Sequence, residues 1–234
     1  MTGTFINVGA VLLGTLVGSL VGGRLPPSLQ ERVMMGLGLV TLVLGIDNAL
    51  EWRHTSPLIV FGAILLGGIA GEALGIERAI ERLGAAVQRR LASERTHSRI
   101  AEGFVTASLL FCVGPLTVVG SIQDGLTGDY RTLASKSILD GFASIALSAG
   151  LGWGVGLAAA TVLVVQGALT LGAGLFEHVL SKGSEALAAL VSAGGILIIG
   201  ISLKLLTVKD VKIGNFLPAL LFAPVLVGIV SLFR

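Results

Sequence analysis

Apolar runs of about twenty residues recur from Thr4 to Phe233, separated by short polar or basic stretches. A helix rises about 1.5 Å per residue, so such a run crosses the roughly 30 Å hydrocarbon layer of a bilayer. The pattern predicts an all-α, polytopic transmembrane bundle with eight spans, at 4–23, 33–50, 57–76, 101–122, 137–152, 156–176, 187–206 and 213–233. The fifth and sixth are separated only by GLGWGVG, Gly150 to Gly156, which reads as a tight turn because Gly adopts backbone angles other residues resist. The whole chain, 1–234, reads as a single membrane domain.

Between the third and fourth spans the periodicity changes. Over 77–99, ERAIERLGAAVQRRLASERTHSR predicts an amphipathic helix. Ile76, Ile80, Leu83, Val87 and Leu91 recur at three- and four-residue steps and share one face. The other face carries Arg78, Arg82, Arg89 and Arg90, placed to meet anionic headgroups or a cytoplasmic partner. A solvated helix packed on the bundle fits the same pattern. The run is short, mixed in sign and without interleaved aromatics, so it does not read as a nucleic-acid surface.

Composition agrees with the membrane reading. Charged residues make up 13% of the chain, about half the usual share of a soluble domain, and the mean hydropathy is +0.93. The 34 glycines suit helices that associate in lipid by close packing. One cysteine, Cys112, excludes an internal disulfide and a multi-cysteine metal site. No basic leader precedes the first apolar run, which reads as a retained span.

Lys and Arg orient the chain. The odd loops hold Arg24, Arg32, Arg78, Arg82, Arg89, Arg90, Arg95, Arg99, Lys204, Lys209 and Lys212, eleven in all. The even loops and the C-terminus hold five, namely Arg53, Arg131, Lys136, Lys182 and Arg234. The odd loops are therefore expected in the cytoplasm and both termini outside.

Two internal alignments point to inverted repeats, a common transporter architecture. EGFVTAS at 102–108 matches DGFASIA at 140–146, on adjacent antiparallel spans. PLIVFGAILLG at 57–67 matches PALLFAPVLVG at 218–228 without a gap. The first alignment pairs Glu102 with Asp140 and Thr106 with Ser144, each acid entering the bilayer from its own side. Ionisable groups at such depth are costly and usually face a cavity, partner or pathway. A helix-start carboxylate, stabilised by the dipole, is the alternative for both.

The second candidate is FCVGPLTVVGSIQDGLTGDY, Phe111 to Tyr130. Gly114-Pro115 falls mid-span, where Pro removes a backbone donor and breaks the helix. The freed carbonyls, with Thr117, Ser121, Gln123 and Asp124, would suit a cation or small polar solute; a packed kink is the bland reading. Metalloprotease, phosphate-loop and hydrolase-elbow motifs are absent from the sequence, so no enzyme and no cofactor is expected.

The opening TGTFINVGAVLLGTLVG and the central FCVGPLTVVGSIQDGLTGDYRTLASKSILDGFASIALSAGLGWGV resemble a bacterial membrane family, domain of unknown function 554, of YqgA- and YdfK-type inner-membrane proteins. The resemblance covers nearly the whole chain. It implies a multi-pass protein of the bacterial plasma membrane and supplies no substrate. The residues themselves predict a secondary transporter or channel-like permease for a small ion or solute, with a cation or proton coupling favoured and the site between the fourth and fifth spans. The alternative is a non-transporting scaffold or sensor acting through 77–99. The expected partners are the lipid bilayer, a small ion or solute and, through glycine ridges, a second copy in a homo-oligomer.

Overall fold

Local signals set the helix ends. In the computed structural model, which describes residues 1–22, 26–79, 82, 97–112, 115–176 and 183–233, α1 covers Thr2–Gly22. Helix α2 (Pro27–Ala49) and helix α3 (Pro57–Leu74) each open on proline, whose fixed φ suits the first helical turn. A 3-10 turn, Leu50–His54, joins them. Gly75, at φ 64°, ends α3 in the left-handed conformation that Gly adopts without strain. Then come α4 (His97–Cys112), α5 (Pro115–Thr127) and α6 (Arg131–Leu151). A 3-10 turn at Gly152–Leu157 leads into α7 (Ala158–Leu171) and the short α8 (Ala173–Phe176). Helix α9 (Glu185–Leu205) is capped by Ser184, whose Oγ accepts from the Leu187 N–H at 3.2 Å. A last 3-10 turn, Ile213–Phe216, precedes α10 (Ala219–Ser231).

Glycine contacts show how the helices run. A Cβ on Gly14, Gly18 or Gly22 of α1 would collide with the carbonyls of Gly141, Ile145 and Ala149 of α6. Gly3 packs likewise on Leu133, so α1 and α6 lie parallel at close range. The ridge Gly14-Gly18-Gly22 is thus an internal contact. Helix α7 runs the other way, since Gly167 packs beside Met1 and Gly156 beside Thr15. The tract Arg131–Leu171 therefore doubles back at Gly152, whose φ is 79°. The expected turn sits at that glycine.

Helices α2 and α9 are antiparallel neighbours, with Gly38 near Leu206 and Gly45 near Ile199. So are α3 and α10, with Gly62 near Leu226 and Gly71 near Asn215. The break at Pro115 divides the expected fourth span into α4 and α5, bent by 61° between Ile100–Cys112 and Leu116–Thr127. Helix α4 starts beside the Gly152–Leu157 turn, where Gly154 packs on Ile100. Helix α5 ends beside the start of α1 and the end of α7, where Gly125 packs on Thr170. The bent pair therefore runs from one end of the bundle to the other. We call these ends the Met1 face and the turn face.

Five stretches among the described residues are apolar and long enough to cross a bilayer: Thr2–Gly22, Pro57–Leu74, Arg131–Leu171, Glu185–Leu205 and Ile213–Ser231. The bent pair makes a sixth if it counts as one span. Large apolar side chains such as Phe5, Leu13, Leu58, Phe61, Ile69, Phe142 and Leu221 point outward. An apolar surface on this scale is what lipid requires and water forbids. Helix α9 is the most enclosed, with Val191, Leu197, Ile198, Ile201 and Leu205 buried.

Several boundaries differ from expectation. Helix α2 begins at Pro27, six residues before the predicted start at 33, and is not among the five stretches above. Helix α6 begins at Arg131, six residues before the predicted start at 137, and so takes Lys136 out of the loop and into the helix. The predicted 156–176 span is interrupted at Gly172. At 213–216 the chain is a 3-10 turn, tied down by Glu77 and Asn215. The Glu77 Oε2 accepts from the Gly214 N–H at 2.7 Å, and the Glu77 N–H donates to Asn215 Oδ1 at 2.8 Å. Most of the predicted 77–99 helix, including Arg89 and Arg90, lies outside the described residues; Arg78 and Arg82 are exposed.

Candidate functional site

Asp140 stands nine residues into α6, about 14 Å from its start at 1.5 Å per residue. It is therefore no helix-start carboxylate. It is 6% exposed and forms an ion pair with Lys136, itself 5% exposed. The two are four residues apart and so share one helix face. Asn7 of α1 donates from Nδ2 to the same carboxylate oxygen, Oδ2, at 2.9 Å. The ring of Phe111 on α4 lies under the ammonium, 5.8 Å from Nζ to its centroid, within cation–π range. The cluster exists because α1 and α6 touch through glycine, which brings Asn7 to the depth of Asp140.

Lys136 is the residue that sequence reasoning missed. Hydropathy alone places it in a loop, because a charge ordinarily marks a span end. The available signal was its four-residue spacing from Asp140. Its presence makes the site neutral overall, since the pair offsets two charges that would each be costly alone in a low-dielectric interior.

The other candidates distribute differently. Pro115 has no N–H to give to the carbonyl four residues back, that of Phe111. The Thr117 hydroxyl donates to that oxygen instead, at 2.8 Å. The Phe111 carbonyl, expected to be free for a ligand, is thus satisfied within the protein; Gly114 lies outside the described residues. Asp124 is buried and accepts from the Gly3 N–H at 3.1 Å and the Met1 amino group at 2.9 Å. A carboxylate there stabilises the start of α1. Gln123 is exposed and accepts from the Thr132 hydroxyl at 2.9 Å. It lines a cavity of about 450 Å³ with Glu51, His54, Thr132 and Ser184. Glu102, half-buried, is in the second turn of α4 on the turn face, next to Gly103, which packs on Leu151 and Val155. Thr106, Ser121 and Ser144 are buried. Ser144 lies one turn beyond Asp140, on the same face.

Several buried polar atoms have no partner among the described residues: Thr4 Oγ1, Asn7 Oδ1, Thr15 Oγ1, Ser19 Oγ, Ser121 Oγ, Ser144 Oγ, both amide atoms of Gln166 and Thr170 Oγ1. Among the described residues, no group of three His, Cys, Asp or Glu side chains could hold a metal ion.

An apolar exterior, membrane-length helices and a buried ion pair define a helical membrane protein. The chain matches the family model "Protein of unknown function (DUF554)" over residues 2–228 and belongs to that family. It is 29% identical over 235 residues to the "Uncharacterized membrane protein YdfK" of Bacillus subtilis strain 168, covering 100% of this chain and 98% of that protein. It is 31% identical over 224 residues to the "Uncharacterized protein YqgA" of Escherichia coli strain K12, covering 94% of each. No solved structure matches the chain.

Proposed function

We propose that this protein is a secondary transporter or channel-like permease for a small ion or solute, with Asp140 at its centre. One observation carries the reading: a lysine–aspartate pair, held by Asn7, is buried among membrane-length helices. Ionisable groups at that depth are kept where they do work on a pathway. A cation or a proton-coupled substrate remains favoured, and a cation must compete with the Lys136 ammonium for the Asp140 carboxylate. Glu102, on the turn face, and Gln123, beside the cavity on the Met1 face, are the proposed approaches from either side. The proposal includes eight passes, with α4 and α5 as one broken span, inverted repeats, a location in the bacterial plasma membrane and both termini outside. The lysine and arginine distribution supports that orientation.

The test is flux in proteoliposomes, with sodium, potassium and protons as the probes. Asp140→Asn keeps the shape and removes the charge. It strands the Lys136 ammonium, so the double variant Lys136→Met with Asp140→Asn is measured beside it; both are expected to abolish flux, the double variant while staying monodisperse in detergent. Unchanged flux would remove Asp140 from the mechanism.

A further inference from the structure

The unpartnered polar atoms are not scattered. Thr4, Asn7, Val11, Thr15 and Ser19 follow one another at three- and four-residue steps, so they form one stripe on α1. The stripe is about 22 Å long at 1.5 Å per residue. It faces inward: Thr4, Asn7 and Val11 are fully buried and Thr15 nearly so. Helix α1 packs against α5, α6 and α7, and α5 also packs against α7. Toward the Met1 face these helices bring Ser121, Gln166 and Thr170, and along α6 comes Ser144; all four are buried. The register supports the grouping, because Gly125 touches Thr170 and each of Ser121 and Gln166 lies one turn earlier.

Leaving this many buried hydroxyl and amide groups unbonded would cost an amount comparable with the whole stability of a folded domain. Water or a small hydrogen-bonding solute in the seam would meet them. The walls carry no net charge, since Lys136 is paired with Asp140 and the Met1 amino group with Asp124, so the chemistry matches water and small hydrogen-bonding solutes. The stripe is interrupted once. Val11 is fully buried and belongs to the same packed apolar cluster as Leu147 and Val162.

We propose that this seam holds two water-filled pockets separated by an apolar plug at Val11. The first pocket, lined by Thr4, Asn7, Ser121, Gln166 and Thr170, reaches the Lys136–Asp140 pair from the Met1 face. The second, lined by Thr15 and Ser19, faces the turn. The inference deepens the transport reading and rests on it for the role of the plug, where an apolar constriction blocks passage by excluding water.

The experiment places single cysteines by near-isosteric changes, Thr4→Cys, Ser121→Cys, Thr15→Cys and Val11→Cys, in a Cys112→Ala background in proteoliposomes. The probes are a sulfonated, membrane-impermeant methanethiosulfonate applied from either side and the small neutral methyl methanethiosulfonate. Positions 4 and 121 are expected to react from the Met1 face only, position 15 from the turn face only, and position 11 from neither. Val11→Ser, or Val11→Ala if serine prevents folding, is expected to let reagent from the Met1 face reach position 15. If positions 4, 121 and 15 resist both reagents in the native bilayer and react only after denaturation, the seam is dry and the proposal fails. Reaction at position 11 from one side or both removes the plug. Reactive pockets together with unchanged flux in Asp140→Asn would leave the hydrated seam standing and overturn the transport reading instead.

Discussion

Among the helix pairs drawn together by glycine are α1 with α6 and α2 with α9. In the first, Gly14, Gly18 and Gly22 sit against the carbonyls of α6, and the space beside them holds Asn7, Lys136 and Asp140. In the second, Gly45 sits against Ile199 and Gly195 against Ala49. The main polar event there is one bond, from the Ser192 hydroxyl to the Ala49 carbonyl at 2.9 Å. The remaining interior of α9 is Val191, Leu197, Ile198, Ile201 and Leu205. Glycine supplies proximity in both pairs; the residues between the glycines decide whether the contact is polar or dry.

Breaking the ion pair gives the largest expected effect on that contrast. Lys136→Met leaves Asp140 buried without its cation, a loss of about 3–5 kcal/mol for a buried pair. Lys204→Met, which removes a partner of the exposed Asp210 at 3.2 Å, is expected to cost about 0–1 kcal/mol. Thermal unfolding in detergent checks both. The double variant Lys136→Met with Asp140→Asn is expected to recover most of the loss, because no charge is then stranded. If Lys136→Met unfolds no more easily than Lys204→Met, the pair contributes nothing to the fold.

Asn7 sharpens the comparison at the level of one hydrogen bond. Asn7→Ala withdraws a donor from a carboxylate, a loss of about 1.5–3 kcal/mol by the scale for bonds to charged groups. Ser192→Ala withdraws a neutral bond between helices in lipid, typically about 0.6 kcal/mol. The ordering of the two unfolding temperatures tests whether α1–α6 is the more polar interface. Equal shifts would mean that Asn7 adds no more than an ordinary interhelical bond.

The glycine contacts give the simplest readout. A methyl on Gly18 has nowhere to go against Ile145, so Gly18→Ala is expected to cost about 1–3 kcal/mol as overpacking. Gly36 of α2 has nothing within 4 Å of its added Cβ. Gly36→Ala is therefore expected to gain about 0.5–1 kcal/mol from helix entropy. Opposite signs in the two melting shifts are the result to look for; a neutral Gly18→Ala would show that α1 and α6 can separate freely.

Much of this fold was readable as pattern. The helical class followed from the length of the apolar runs, and the reversal at Gly152 from the only break in a long one. The function of Pro115 was half legible. Its missing donor predicted the bend, but not that Thr117 would rotate its hydroxyl onto the Phe111 carbonyl. Asp140 was visible as an acid followed by a long apolar run. Lys136 was misplaced because hydropathy alone puts a span end at a charge, while a charge already matched by its neighbour one turn away can stay inside. Asp124 stands in the sequence as a candidate ligand group, and its contact with the start of α1 comes only from the fold.

By itself the sequence determined the solvent, the helical periodicity and the places where the chain must turn. These depend on transfer of each run into lipid and on local backbone geometry, which act within one element. The tertiary structure decided which polar groups meet. Asn7 and Asp140 are 133 positions apart and are joined at 2.9 Å only because glycine lets two parallel helices approach to backbone contact. That depends on the shape of both surfaces at once, and no single stretch of sequence contains it.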